Sequence, residues 1–160
     1  MEYERFEDLP VWQDSIALVA SIFNVTRDRR FHGLGDIANQ IQRAGLSVSN
    51  NIAEGFERGT TGELISFLYY ARGSAGEVRS ILSVMERLDG LDDLRSEISN
   101  LKSAAEAISR QIRGWAASLQ NTPIRGQRYL NEKTRSAFDQ DKRHKAFKET
   151  LKQYYHPPVS

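Results

Sequence analysis

The sequence contains no cysteine, so disulfides, thiolate metal sites and thiol nucleophiles are excluded, as a reducing compartment permits. Histidine is scarce. The chain has three, His32, His144 and His156, and none falls on the apolar seams described below. The Glu-x-x-His pairs that hold a di-iron centre inside a helical bundle are therefore missing. Neither a phosphate-binding P-loop nor a Gly-x-Ser-x-Gly elbow occurs. The adjacent carboxylates Asp92 and Asp93 lie in a turn, where capping a helix is their expected role. No apolar run approaches the ~18 residues of a membrane span. The acidic start Met1-Glu2-Tyr3-Glu4-Arg5 lacks the basic opening and apolar stretch of a signal peptide. The expectation is a cytoplasmic protein with no membrane contact, no metal, no cofactor and no catalytic residues.

What the chain does have is apolar residues spaced alternately by three and four, the period of helices packed in a bundle. Four stretches show it: Leu9, Trp12, Ile16, Val19, Phe23; then Leu34, Ile37, Ile41, Ala44, Val48; then Leu64, Leu68, Ala71, Ala75, Val78, Leu82, Met85; and finally Leu91, Leu94, Ile98, Leu101, Ala105, Ile108, Ile112, Trp115, Leu119. Turn residues separate them. Asp8 is placed to cap the first helix, with Pro10 in its first turn. Arg29-Arg30-Phe31-His32-Gly33 breaks the first pattern. Thr60 or Thr61 caps the third helix after Gly55 and Gly59. Asp89-Gly90 makes a tight turn, and Thr122-Pro123 ends the fourth helix. Short connections make neighbouring helices antiparallel. The predicted fold is all-α: an up-down-up-down four-helix bundle over residues 1–120, followed by a partly helical, basic C-terminal extension over residues 121–160.

Helices 1 and 3 carry apolar residues outside one seam, with Val11, Leu18, Ile22 and Val25 on the first and Phe67, Tyr70, Ile81, Val84 and Leu88 on the third. Such surplus area marks a partner surface, or else it widens the core or lies under the C-terminal segment. A homo-oligomer interface through Val11, Leu18, Ile22, Phe67, Tyr70, Ile81 and Val84 is the expectation.

Between Gln42 and Glu77 the seams turn polar and glycine-rich, and Asn51 falls on the second seam itself. Arg43, Asn51, Glu54, Arg72, Ser74 and Glu77 form either a ligand site or, the favoured reading, a polar network that fixes helix register. Glu54 with Arg72 and Glu77 with Arg43 are the expected pairings.

The runs Phe6-Glu7-Asp8-Leu9-Pro10-Val11-Trp12, Gln40-Ile41-Gln42-Arg43-Ala44, Ser47-Val48-Ser49-Asn50-Asn51-Ile52-Ala53-Glu54-Gly55-Phe56 and Ala71-Arg72-Gly73-Ser74-Ala75-Gly76-Glu77 resemble the bacterial four-helix-bundle family of 23S rRNA intervening-sequence proteins, over about residues 5–119. The resemblance implies an all-α bundle that assembles as a homopentamer and has no established enzymatic activity. More distantly the family is similar to the accessory variability protein of diversity-generating retroelements, a basic pentameric barrel that binds reverse transcriptase and nucleic acid. This chain departs from the family pattern in its extra C-terminal segment, and from the basic retroelement barrel in the acidic balance of its bundle.

Residues 1–120 contain 13 Lys+Arg against 17 Asp+Glu, a net −4, whereas residues 121–160 contain 9 against 4, a net +5. Arg125, Arg128, Lys133, Arg135, Lys142, Arg143, Lys145, Lys148 and Lys152 are interleaved there with Phe138, Phe147 and Tyr154. That mixture suits phosphate contact with base stacking, so RNA or DNA, or a nucleic-acid-bound enzyme such as a reverse transcriptase, is the expected partner beside the chain itself. The competing expectation is a scaffold that binds a protein and no nucleic acid, its aromatics docking on a neighbouring subunit.

Overall fold

The computed structural model describes residues 3–121. Four helices account for most of them: α1 (Pro10–Val25), α2 (Ile37–Glu57), α3 (Thr61–Met85) and α4 (Arg95–Gln120). Short 3-10 turns occupy Phe6–Asp8, Arg29–Gly33 and Asp92–Leu94, and no strand occurs among the described residues. The helices pack as a ring in chain order, with α4 closing back on α1. Polar pairs across the seams fix the directions. Arg79 faces Glu106 while Lys102 meets Glu86, and Ser47 meets Ser74 while Gly55 lies against Phe67. In each case the residue number rises on one helix as it falls on the next, so neighbours are antiparallel. None of the helices is long and apolar enough to cross a membrane.

The predicted seam of α3 is the interior of the bundle. Leu64, Leu68, Ala71, Ala75, Val78, Leu82 and Met85 are each at most 1% exposed. The seams of α2 and α4 hold as well, through Ile41, Ala44 and Val48, continued by Ile52 and Phe56, and through Ile98, Leu101, Ala105, Ile108 and Ile112. The boundaries shift, however. Leu34 lies before α2, and Leu91 and Leu94 lie before α4 while still packing into or against the core.

Helix α1 buries residues of both its apolar stripes. Leu9 and Val19 of the predicted seam are core, and so are Val11, Leu18 and Ile22, expected at an oligomer interface, which widen the core of this chain instead; Ile16, expected inside, is 39% exposed. Ser15 is fully buried beside them, at the position where an apolar residue would complete the run 11, 15, 18, 22. Its hydroxyl donates to the Val11 carbonyl at 2.6 Å, which satisfies its proton within the helix and lets a serine sit in the core. Thr26, also buried, does the same about three turns on, donating to the Ile22 carbonyl at 2.7 Å and accepting from Gln42 Nε2 at 2.7 Å.

The caps show the same mixture of agreement and correction. Thr60 caps α3: its hydroxyl accepts from the Glu63 N–H at 3.2 Å and donates to the Glu63 carboxylate at 2.7 Å. Asp8 does not cap α1. Leu9 stands at that position and Asp8 closes the preceding turn, where Phe6 meets the Trp12 ring edge-on at 5.2 Å. Gly90 takes φ 81°, which the tight third turn requires.

Two features tie the bundle together. At the α2–α3 turn, a Cβ on Gly55 would lie 2.6 Å from the Cβ of Phe67 and 3.3 Å from Leu64 Cδ1, so only glycine lets the helices approach. At the opposite end, Arg30 joins two loops. Its guanidinium grips the Asp28 carboxylate (Nη2–Oδ2 2.6 Å), binds Asp93 and donates to the Gly90 carbonyl at 3.2 Å. The turn it braces places Phe31 in the core. Hydrogen bonds from Arg30 hold the Asp28 and Asp93 carboxyls below the ordinary carboxylate range, and the same bonds raise Arg30.

Gly55→Ala is expected to destabilise the chain by about 1–3 kcal/mol in chemical denaturation, because the obstructing Phe67 atom lies next to the backbone and cannot swing aside. For the Arg30 clamp the sign follows from depressed carboxyls: its stability is present above the ordinary aspartate range and is lost as pH falls through the folded values. Arg30→Ala should therefore melt below the parent chain at pH 7, with a gap that is constant above about pH 5 and shrinks towards zero below it. A gap that grew in acid would contradict this assignment.

Candidate functional surfaces

The polar cluster lies where α2 and α3 pack most closely. Asn51 Nδ2 donates to the Ser47 carbonyl at 2.7 Å and to Ser47 Oγ at 3.0 Å. Ser47 Oγ and Ser74 Oγ are 2.8 Å apart, and Ser74 Oγ donates to the Tyr70 carbonyl at 3.1 Å. Each hydroxyl has one proton. With Ser74 committed to Tyr70, Ser47 donates to Ser74 and accepts from Asn51. The chain of bonds runs one way and ends on backbone, as a register-setting network does, and it leaves neither hydroxyl proton for a ligand.

The expected ion pairs are not the ones formed. Glu54 binds Arg58, one turn along its own helix, in place of Arg72, and the Arg58 guanidinium stacks 5.0 Å over the Phe67 ring. Phe67 in turn meets Tyr70 edge-on at 5.7 Å. Arg43 and Glu77 line one shallow polar cavity of about 310 Å³ with Gln40 and Ser47, without an ion pair between them. A helical turn brings Glu54 to Arg58 automatically, whereas reaching Arg72 requires two helices to present both side chains at one height.

Of the predicted interface residues, Tyr70 (61%) and Val84 (49%) are exposed, Phe67 and Ile81 are half-buried, and Val11, Leu18 and Ile22 belong to the core as described above. The exposed pair lies on a second seam of α3. Gly62, Ser66, Tyr69, Gly73, Ser80 and Val84 follow one another at helical spacing on the outer face, with Tyr70 and Gly76 beside them. Nothing within 4 Å would meet a Cβ on Gly62, Gly73 or Gly76. Among the described residues, then, no packing accounts for two glycines in the middle of a 25-residue helix, each costing ~1 kcal/mol relative to alanine.

The basic residues proposed for nucleic-acid contact, Arg125, Arg128, Lys133, Arg135, Lys142, Arg143, Lys145, Lys148 and Lys152, lie outside the described residues. Among the described residues, no group of three or more His, Asp and Glu side chains is arranged to hold a metal ion. Sequence reasoning missed one surface altogether, an open groove of about 740 Å³ between α1 and α4. The small residues Ala17, Ser21, Ala104 and Ala107 at helical spacing were the available sign of it.

Comparison with known proteins follows the fold. The family model of the 23S rRNA-intervening sequence protein matches residues 7–114, the stretch that holds α1 to α3, most of α4, the α2–α3 network and both exposed surfaces. The chain belongs to that family. A solved structure from Bacteroides thetaiotaomicron, described as a protein of unknown function from the S23 ribosomal protein family, superposes with a TM-score of 0.57 at 20% identity, covering 66% of this chain and 97% of that one. At that identity the likeness concerns the fold. No curated protein matches the chain.

If the α2–α3 cluster is a register device, Ser74→Ala should cost about 1 kcal/mol, because Ser47 loses its acceptor in a half-buried site. Glu54→Ala should stay within about 0.5 kcal/mol of the parent, since its pair with Arg58 is exposed. Equilibrium urea unfolding of the two variants measures both. An effect of Glu54→Ala larger than that of Ser74→Ala would point instead to Glu54 as the member on which the cluster depends.

Proposed function

We propose that this family member is a non-catalytic accessory protein that assembles into a homo-oligomer, a pentamer by its resemblance, and binds RNA or an RNA-bound enzyme such as a reverse transcriptase through its basic residues after Asn121. The outer seam of α3 is the observation that supports assembly. Mid-helix glycines with open space above them, flanked by exposed Tyr70 and Val84, suit the close approach of another helix, and removing the apolar residues from water supplies the driving force. The separation of charge supports where the nucleic acid goes: a bundle of net −4 repels phosphate, and a segment of net +5 attracts it. Several copies of one weakly binding segment in a ring act together, so modest affinity per chain suffices. The second reading, a scaffold for a protein partner alone, draws on the same acidic bundle and keeps the assembly while dispensing with the RNA.

Light scattering on the full chain should give a mass several times that of one chain. Tyr70→Ala combined with Val84→Glu should reduce it to a single chain with unchanged far-UV circular dichroism. Lys142→Glu, Arg143→Glu and Lys145→Glu together should abolish retention of a single-stranded RNA at low salt and lower the salt slope of binding by about 2. Unchanged retention would sink the nucleic-acid reading, and a monomeric parent chain would sink the assembly.

A further inference from the structure

We infer that the groove between α1 and α4 is a docking site for a short, basic amphipathic helix of a partner protein. The two helices close on each other less extensively than α2 on α3 or α3 on α4. Between them lies a groove of about 740 Å³ whose floor includes Leu18, Leu101 and Ile108. Exposed small residues, Ala17 and Ser21 on one wall and Ala104 on the other, stand where longer side chains would fill the gap. The lining runs from Asp14 to Val25 along α1, a length of about 16 Å at 1.5 Å per residue. Three turns of a helix fit that length, with an apolar stripe at i, i+4 and i+7 on the floor.

Charge selects the partner. Among the described residues, the charged residues lining the groove are both carboxylates, Asp14 towards one end and Glu97 towards the other. Asp14 accepts a hydrogen bond from Gln111 Nε2 at 2.7 Å, and among the described residues neither carboxylate forms an ion pair. A phosphate backbone is repelled by that pair, and among the described residues no cation in the lining compensates it. A helix with Lys or Arg near both ends and an apolar stripe between satisfies the floor and both carboxylates together. The groove uses neither the outer seam of α3 nor any residue after Asn121, so its failure would leave the proposed function untouched.

The test is selection on the full chain from a displayed library of three-turn helical peptides, with apolar residues fixed at i, i+4 and i+7 and all other positions varied. Selected peptides should carry Lys or Arg towards both ends. Their affinity, read by fluorescence anisotropy, should fall at least tenfold on Ser21→Arg and Ala104→Arg variants, whose far-UV spectra stay unchanged because both sites are exposed. Asp14→Asn with Glu97→Gln should weaken the selected peptides several-fold and flatten their salt dependence. Recovery of no binder, of binders without cationic ends, or of binders indifferent to Ser21→Arg would overturn the assignment. So would a change in the mass of the assembly on Ser21→Arg without peptide binding, which would make the groove a contact between copies of this chain. Displacement of the peptide by a single-stranded RNA that Ser21→Arg also fails to bind would likewise overturn it.

Discussion

Everything in the bundle depends on how closely α2 and α3 approach. Gly55 permits that approach where the Phe67 Cβ leaves no room for another, and it places Ser47 within a hydrogen bond of Ser74 further along. The two contacts act differently. The glycine sets separation by sterics, and the serine–asparagine chain sets register, because a slip of one residue would leave hydroxyls unpaired in a half-buried seam. With that pair fixed, α3 presents its fully buried stripe to the interior, and α1 and α4 pack onto what remains.

The outside of the molecule follows from the same geometry. A helix that commits one stripe wholly to the core has a definite opposite face, and on α3 that face carries glycines, serines, tyrosines and a valine with Glu77 among them. Among the described residues nothing packs over its mid-helix glycines. Helix α4, by contrast, is polar outside its seam and solvates its own back. The position of α1 completes the asymmetry: α2 on α3 and α3 on α4 pack extensively, α1 meets both of its neighbours less closely, and its side towards α4 leaves a groove with carboxylates near its ends. The bundle therefore has two surfaces of different chemistry, one suited to close helix approach and one suited to a cationic helix.

Comparison of pattern and structure is most instructive at α1. Its sequence offers two apolar stripes, both of which reach the core, and counting apolar residues undervalues the second because Ser15 interrupts its run. A serine whose proton is taken by the carbonyl four residues back is compatible with burial, and no apolar count registers that bond. The three residues assigned outward in consequence, Val11, Leu18 and Ile22, are core. Of the six residues read as a polar cluster, the structure joins Asn51 and Ser74 through Ser47, while Glu54 turns to Arg58 because helical geometry supplies that neighbour without any tertiary coincidence.

Alone, the sequence determined the class and count of the helices, the buried stripe of α3, the turn at Gly90, a threonine cap at the start of α3 and the segregation of charge. These depend on period, on backbone conformation and on composition, all of which are local or additive along the chain. Only the tertiary structure decided which face of α1 turns inward, that Gly55 is a contact and not merely a break, that Arg30 joins the loops at Asp28 and Asp93, and that α1 and α4 stay apart. Each of those rests on distances between residues far apart in the chain, and such distances exist only once the helices are packed.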